Sequence, residues 1–196
     1  LAAPLITVEG LQHRFTDGTP TLTGIDLAFY PGEYVLIVGQ NGAGKTSLVK
    51  HLLRLLEPTQ GRVMLWGRES RAWSVGALAR RIGYVAQNPD QQLFNLTVAD
   101  EVAFALRQLR FPPAEIAART TKVLTALGLE GVADRHPLSL PKGDRARVII
   151  AAMLSLDPEV IVLDEPTTGL DYAGARAILE LSRMLQRQGK TIIVIT

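Results

Sequence analysis

The sequence predicts an α/β fold in which a mostly parallel central sheet is covered by helices on both faces. Three observations lead to this prediction. Apolar, strand-like runs alternate with segments of helical periodicity through most of the 196 residues. A glycine-rich turn at residues 39–46 connects one of these strands directly to one of these helices. The stretch from about residue 88 to 142 contains no strong strand, and we expect it to form a helical insertion.

Apolar, β-branched runs mark the strands that precede the insertion. They cover residues 5–8, 21–30, 34–38, 62–66 and 82–86. A turn at residues 31–33 closes the second of these strands, and a turn at residues 58–61 precedes the fourth. Residues 47–56 carry apolar side chains at helical spacing, so a helix should follow the glycine-rich turn.

The remaining elements are mostly helical. Helical periodicity runs from residue 97 to 127 and is interrupted by a proline pair in its middle. We expect a helix at residues 144–156 and an amphipathic helix at residues 173–188. Two buried strands, residues 160–163 and 191–195, alternate with these helices and continue the α/β pattern.

Composition limits the classes of function. A net charge of +2 is too small to argue for a nucleic-acid partner. With no cysteine, the chain has neither disulfides nor thiolate metal sites. It has no apolar run long enough to span a membrane and no signal-peptide pattern, so a membrane role would need a partner protein. Because it starts without methionine and stops at an apolar strand, we expect it to be a fragment.

The glycine-rich turn, which we call the phosphate loop (residues 39–46, GQNGAGKT), fits the pattern G-x-x-x-x-G-K-[ST]. Backbone N–H groups of such a turn surround a phosphate, and the following helix N-terminus favours negative charge. Lys45 should reach the β- and γ-phosphates, and the Thr46 hydroxyl should ligate Mg²⁺. The alternative is a glycine turn that occurs by chance. Such a turn would not need a strand before it and a helix after it. The residues predicted to bind the nucleotide here are Gly39, Asn41, Gly42, Ala43, Gly44, Lys45, Thr46 and Ser47.

A second motif places two acids, Asp164 and Glu165, directly after the apolar run at residues 160–163. Open parallel sheets bind ligands at this end of their strands. We expect Asp164 to hold Mg²⁺ through its water shell and Glu165 to polarise the water that attacks the γ-phosphate. The alternative is that the two acidic residues simply lie at a helix N-terminus, since Pro166 and Thr167 follow. The motif is weak alone, and its pairing with the phosphate loop favours the catalytic interpretation.

The segment LPKGDRARVIIA at residues 140–151 makes the chain resemble the nucleotide-binding subunits of ABC transporters. That family carries L-S-G-G-Q followed by x-x-R-V-x-x-A at this place, and the resemblance covers nearly the whole chain. The absence of a guanine-binding N-K-x-D motif also argues against a GTPase. The resemblance implies a P-loop NTPase fold with a mostly parallel central sheet, an N-terminal antiparallel β part and a helical subdomain. It divides the chain into a first core part (1–87), the helical subdomain (88–142) and a second core part (143–196).

The resemblance also implies ATP and Mg²⁺ as cofactors and assigns roles to three further residues. Gln87 would contact Mg²⁺ and the attacking water, and so would share the catalytic role with Glu165. Phe15 lies where the family has an aromatic residue that stacks on adenine. Asp171 belongs to the stretch at residues 169–171 that matches the family's D-loop.

The stretches QNPDQQLF at residues 87–94 and VADEVAF at residues 98–104 look like the ATPases of energy-coupling-factor (ECF) transporters. Those transporters import vitamins, cobalt or nickel through a substrate-capturing membrane protein and a shared transmembrane coupling protein. The resemblance therefore implies an importer ATPase at the cytoplasmic face of the cell membrane. We expect Leu93 and Phe94 to be exposed and to contact the coupling protein. The alternative is that they pack the subdomain onto the sheet.

The signature segment, Leu140 to Asp144, departs from the family pattern. In this family two ATPase domains bind ATP head to tail, and each signature completes the partner's site. Pro141 lacks the hydroxyl and the N–H that the usual serine offers to the γ-phosphate. Lys142 replaces a glycine, Gly143 is retained, and Asp144 brings a negative charge near the ATP pocket.

Losing one positioned donor can slow a reaction by about two to three powers of ten. We therefore expect an asymmetric pair with a second ATPase domain, as a heterodimer or a tandem fusion. The alternative is that this signature segment is a tolerated variant.

The family's switch histidine, expected just after the last strand, is missing from the sequence. His13, His51 and His136 lie elsewhere and are predicted to be surface or packing residues. The chain as it stands should therefore hydrolyse ATP slowly or not at all. Two alternatives stay open: a soluble ABC-type ATPase of the translation or DNA-repair kind, and a nucleotide switch that never hydrolyses. The intact Glu165 and Gln87 count against the switch.

Overall fold

The computed structural model describes residues 2–15 and 18–196, so residues 1, 16 and 17 of the first predicted core part lie outside the description. Within the described residues, eight strands form two sheets of four strands each. One sheet is antiparallel throughout and the other is parallel throughout. The predicted α/β fold with a parallel sheet and an N-terminal antiparallel part is confirmed.

The antiparallel sheet has the order β2-β1-β4-β5 and consists of β1 (Ile6–Arg14), β2 (Pro20–Phe29), β4 (Gln60–Leu65) and β5 (Arg68–Glu69). The parallel sheet has the order β3-β8-β7-β6 and consists of β3 (Tyr34–Ile37), β6 (Ile82–Val85), β7 (Val160–Asp164) and β8 (Thr191–Ile195). The helices are α1 (Lys45–Leu52), α2 (Val75–Ala79), α3 (Val98–Gln108), α4 (Pro113–Ala126), α5 (Lys142–Leu154) and α6 (Tyr172–Arg187).

The parallel sheet separates two hydrophobic clusters. On β7, Ile161 and Leu163 pack with α3, α5 and α6, whereas Val160 and Val162 pack with α1 and the antiparallel sheet. Strand β8 alternates in the same way. Because both faces of these strands are covered, every residue of β7 and β8 is buried. This double burial is the reason that both strands read as continuous apolar runs.

Three local features differ from the sequence prediction. Strand β1 continues to Arg14 because a register shift after Val8 accommodates Gly10, whose φ is 54°, and pairing with β2 then resumes. Helix α1 ends at Leu52, since Arg54 adopts a left-handed φ of 56°. The short elements α2 and β5 were not predicted, because two to five residues are too few to show a periodicity.

The predicted helical stretch contains α3 and α4, with Pro112 directly before α4. Thr97 caps α3, since its hydroxyl oxygen accepts the Asp100 N–H at 3.0 Å. The buried Glu101 carboxylate accepts the N–H groups of Phe94 and Asn95 at 2.9 and 2.8 Å, which fixes the loop before the helix. None of the helices within the described residues combines the length and the apolar composition that crossing a membrane requires.

Candidate nucleotide-binding site

The phosphate loop lies between β3 and α1. Gly42 and Gly44 have φ angles of 83° and 86°, which glycine adopts readily and other residues do not. At Gly44 a Cβ atom would also lie only 2.6 Å from the Thr21 carbonyl oxygen. The loop can therefore keep this course only with glycine at this position. It leaves the N-terminus of α1 facing the space above the loop, which favours an anion there.

Lys45, the first residue of α1, reaches back across the loop. Its Nζ donates to the carbonyl oxygens of Gly39 at 2.5 Å and Gln40 at 3.1 Å. The ammonium group is thus held over the turn by acceptors that carry no net charge. Phosphate oxygens would be stronger acceptors, because their negative charge also attracts the ammonium group.

A cavity of about 330 Å³, the phosphate cavity, opens beside the loop. It is lined by Phe15, Thr21, residues 41–47, Gln87 and Glu165. The structure therefore brings together most of the residues predicted to bind and hydrolyse ATP. Of the others, Gly39 contributes its carbonyl oxygen to Lys45, and Asp164 lies buried next to Thr46.

Asp164 at the end of β7 is held by two hydroxyl groups. Its Oδ2 accepts from Thr46 Oγ1 at 3.0 Å and from the Tyr84 hydroxyl at 3.3 Å. Burial of the phenol, followed by the charge of Asp164 and this hydrogen bond, raises the pKa of Tyr84 to about 12. Tyr84 therefore stays protonated and keeps donating to Asp164. Sequence reasoning missed Tyr84, which the pairing of β6 with β7 brings here.

The oxygen atoms of Thr46 and Asp164 fit Mg²⁺, which prefers hydroxyl, carboxylate, phosphate and water oxygens. The described residues contain no group of three or more histidine, aspartate or glutamate side chains that could enclose a metal ion. A Mg²⁺ ion here would accordingly share its ligands between these two side chains, water and the bound phosphates. This is the usual arrangement for Mg²⁺ at nucleotide sites.

Glu165 follows Asp164 with a left-handed φ of 47°, unusual for a residue with a long side chain. Its N–H donates to the Ile195 carbonyl at 2.8 Å, and its Oε2 accepts from Thr168 Oγ1 at 2.9 Å. These two bonds support the strained backbone and orient the carboxylate at the phosphate cavity. Thr168 is a second site residue that sequence reasoning missed, although its spacing of three residues from Glu165 could have suggested the bond.

Gln87 lies just after β6, where its side chain lines the phosphate cavity beside Glu165. Another glutamine holds this end of the strand in place. Gln92 accepts the Ala86 N–H with Oε1 at 2.9 Å. Gln87 itself is exposed at the cavity, where it can contact a ligand.

Most of the signature segment lies outside the phosphate cavity. Residues 141–144 line a separate cavity of about 460 Å³ together with Gly169, Leu170 and Asp171. Leu140 is buried beneath it, and Asp171 caps α6 by accepting the Gly174 N–H at 2.8 Å. Within the described part of the chain, the two cavities have no lining residue in common. A small cavity lined by Lys142, Gln87 and Glu165, among others, brings one residue of the segment next to the phosphate cavity.

Asp144 is paired with a cation on its own helix. Its carboxylate forms an ion pair with Arg147, one turn further along α5. Asp144 also lies in the first turn of that helix, where the helix dipole favours an acidic side chain. The charge of Asp144 is thus offset within its own helix, and its effect on an ATP pocket stays a prediction.

The expectation for Leu93 is wrong. Its side chain is only 7% exposed and packs in the cluster that contains Val85 and Val98, so no partner can reach it. Phe94 is 64% exposed, and its ring contacts Phe104 edge-on at 4.7 Å between centroids. Adjacent residues thus face opposite sides of this loop, which the apolar pair in the sequence did not reveal.

Phe94 lies on a mainly apolar cavity of about 330 Å³, which we call the apolar groove. It runs between the helical segment and the parallel sheet. The residues that line it include Leu55, Val75, Tyr84, Phe94, Phe104 and Leu156.

His13 and His51 were predicted as surface or packing residues, and the structure buries both. His51 Nε2 lies 3.2 Å from His13 Nδ1, and His51 Nδ1 lies 2.7 Å from the Ser47 carbonyl oxygen. Burial, and to a lesser extent the charge of the neighbouring His13, lower the pKa of His51. Hydrogen bonds to the carbonyls of Ser47 and Glu57 oppose this shift without reversing it.

Acid should therefore destabilise the fold through His51. In the unfolded chain its imidazole binds a proton near the ordinary pKa of about 6.5, whereas in the folded chain it binds one only at lower pH. The unfolded state then binds more protons, so the free energy of unfolding decreases as the pH falls below about 6.5. Urea denaturation midpoints at three pH values between 7.5 and 5.5 measure the slope. The variant His51→Phe should flatten it, and the exposed-site control His136→Gln should not.

Comparison with known proteins agrees with this arrangement. A family model described as ABC transporter matches residues 22–168. A putative ABC transporter ATP-binding protein of Caldanaerobacter subterraneus is 40% identical over 192 residues, which cover 98% of this chain and 34% of that protein. The chain thus spans about one third of the length of the first curated relatives it matches.

Two further relatives are covered more fully. An energy-coupling factor transporter ATP-binding protein, EcfA of Methanocaldococcus jannaschii, is 41% identical over 194 residues, which cover 98% of this chain and 70% of that protein. The solved structure of cbiO1 from Clostridium perfringens, described as part of the ABC transporter complex cbiONQ, superposes with a TM-score of 0.88. It is 36% identical, and the match covers 98% of this chain and 78% of that one. The chain therefore belongs to the ABC transporter family, and its resemblance to the ATPases of ECF transporters is confirmed.

Proposed function

We propose that this chain binds Mg²⁺–ATP in the phosphate cavity and hydrolyses it as the ATPase subunit of an ECF-type importer. The observation that carries the proposal is the meeting of two distant motifs. The phosphate loop, with Thr46, and the acidic pair Asp164–Glu165 are far apart in the sequence, and the fold joins them through the Thr46–Asp164 hydrogen bond and the cavity that Glu165 lines.

The predicted site residues have the following parts in the proposed reaction. Lys45 and the N–H groups of the phosphate loop bind the β- and γ-phosphates, and Phe15 stacks on the adenine ring. Mg²⁺, when bound, would offset the phosphate charge and be held by Thr46 and Asp164. Glu165 accepts a proton from the attacking water, whose position Gln87 helps to fix.

The separation of the two cavities supports a head-to-tail pair of ATPase domains. Because most of the signature segment lies outside this chain's phosphate cavity, a second ATPase domain would supply the signature that completes that site. In return, Pro141 faces the ATP of the partner without an N–H or a hydroxyl. The partner's ATP then lacks a donor, which favours a heterodimer or tandem fusion over two equal sites.

The apolar groove is the proposed contact for the transmembrane coupling protein, with Phe94 as its exposed aromatic residue. Such a patch between two parts of a protein suits an apolar segment of a partner. The chain would then lie at the cytoplasmic face of the membrane, where a substrate-binding membrane component captures a vitamin or metal ion. We further propose that residues 88–142 act as the helical subdomain that transmits this contact to residues 1–87 and 143–196.

Replacing Phe94 with Asp should weaken binding of the chain to the coupling protein by at least tenfold, because a charge would be buried against apolar surface. Co-purification from membranes that contain the coupling and substrate-binding components measures this loss. The matched control is Leu138→Asp, which changes another exposed apolar residue outside the groove. Equal retention of both variants would exclude the groove as the contact. No co-purification of the unchanged protein would favour a soluble ABC-type ATPase.

A further inference from the structure

A buried histidine pair connects the helix of the phosphate loop to the predicted adenine-stacking residue. His51 on α1 is 1% exposed and His13 on β1 is 7% exposed. Their rings meet edge-on, with centroids 4.7 Å apart. On its other side, the His13 ring meets the Phe15 ring edge-on at 5.2 Å. Three aromatic rings therefore form a row from α1 to the edge of the phosphate cavity.

The hydrogen bonds of the pair fix both rings. The carbonyl oxygen of Ser47 can only accept, so His51 must carry its hydrogen on Nδ1, at 2.7 Å from that oxygen. His13 Nδ1 lies 3.2 Å from the Glu57 carbonyl oxygen and 3.2 Å from His51 Nε2. Since a carbonyl oxygen can only accept, His13 Nδ1 donates to Glu57. These hydrogen bonds orient both rings.

Phe15 itself is much less constrained by its surroundings. It is 46% exposed and lines the phosphate cavity together with residues 41–47. The edge of the His13 ring is the aromatic contact that supports it from the protein side. An exposed aromatic side chain without such support would lose more rotamer freedom when a base stacks on it.

We propose that His13, held in place by His51, is a positioning residue that fixes the Phe15 ring for stacking on the adenine of ATP. The proposal rests on the proposed function, in which Phe15 contacts the base. It connects base recognition to the phosphate loop, because the pair is anchored on the Ser47 carbonyl in the first turns of α1. The pair also explains why two imidazoles are buried close to a site whose proposed chemistry uses neither of them.

The test measures the Kd of the full chain for Mg²⁺–ATP and for Mg²⁺–tripolyphosphate, which has the phosphates but no base. His13→Ala should raise the Kd for ATP about three- to tenfold, the range expected for one aromatic pair contact. The Kd for tripolyphosphate should stay within about twofold. His13→Phe keeps an aromatic edge against Phe15 and should restore most of the affinity for ATP. The control His136→Ala removes an exposed histidine elsewhere and should change neither Kd.

A double-mutant cycle shows whether His13 acts through Phe15. Phe15→Ala should raise the Kd for ATP. The double variant with His13→Ala should have the same Kd as Phe15→Ala alone. Equal weakening of ATP and tripolyphosphate by His13→Ala would overturn the proposal, because the pair would then support the phosphate loop as a whole. So would independent effects of the two substitutions, or no effect of His13→Ala. If the wild-type chain binds neither ligand, the proposed function fails as well as this inference. If it binds tripolyphosphate as tightly as ATP, the base adds no affinity and only this inference is refuted.

Discussion

Replacing Glu165 with Gln should lower the rate of ATP hydrolysis by about 10²- to 10⁴-fold, the usual contribution of a positioned general base. The amide has the shape of the carboxylate and can still accept the hydrogen bond from Thr168, so the local backbone should be kept. It cannot take a proton from water. The Kd for Mg²⁺–ATP should therefore change by no more than about threefold, and the ATP-bound pair of ATPase domains should persist longer.

Steady-state phosphate release, measured with the partner ATPase domain present, gives this rate. The matched control is Glu180→Gln, which removes the same charge from an exposed ion pair with Arg176 on α6. An unchanged rate in Glu165→Gln would show that Glu165 is not the base. An unchanged lifetime of the ATP-bound pair, with no turnover in either protein, would indicate a switch that does not hydrolyse ATP.

Replacing Lys45 with Ala should raise the Kd for Mg²⁺–ATP by about ten- to a hundredfold. The ammonium group now rests on two neutral carbonyls, and the phosphates would offer it charged acceptors worth about 1.5–3 kcal/mol. Isothermal titration calorimetry measures the loss. Lys50→Ala removes an equal charge from the exposed side of the same helix and should leave the Kd unchanged. An equal rise in Kd in both variants would mean that only the overall positive charge of α1 attracts the nucleotide.

Local motifs made the phosphate loop and the acidic pair predictable. The spacing of Gly44, Lys45 and Thr46 after a strand indicates a phosphate site, because the residues that bind the ligand lie within one turn. Asp164 and Glu165 were predictable for the same reason, because they directly follow the apolar run that forms β7. The alternation of strands and helices likewise predicted the α/β fold, since each period is a local property of the sequence.

Residues that reach the site through pairing of distant segments were harder to predict. Tyr84 contacts Asp164 because Tyr84 pairs with Val162 across β6 and β7, and that register is not visible in either strand alone. His13 and His51 are 38 residues apart and meet only in the folded chain. Leu93 was misjudged for a related reason: one residue apart in sequence, it and Phe94 differ completely in burial.

The structure also changes the meaning of the unusual signature segment. The sequence showed that Pro141 lacks donors and that Asp144 is acidic. The fold adds that Asp144 is paired with Arg147 and that residues 141–144 line a cavity apart from the phosphate cavity. The asymmetry between two ATP sites therefore rests mainly on Pro141, whose effect should be confined to the partner's nucleotide.

The most direct measurement is ATP hydrolysis by the full chain, first alone and then with the neighbouring ATPase domain from the same operon or polypeptide. If a second domain must complete the phosphate cavity, hydrolysis should be at the background level alone and should rise at least about a hundredfold with the partner. Glu165→Gln should abolish that rise. Robust hydrolysis by the chain alone would contradict the account, because its own signature segment would then be sufficient as it stands.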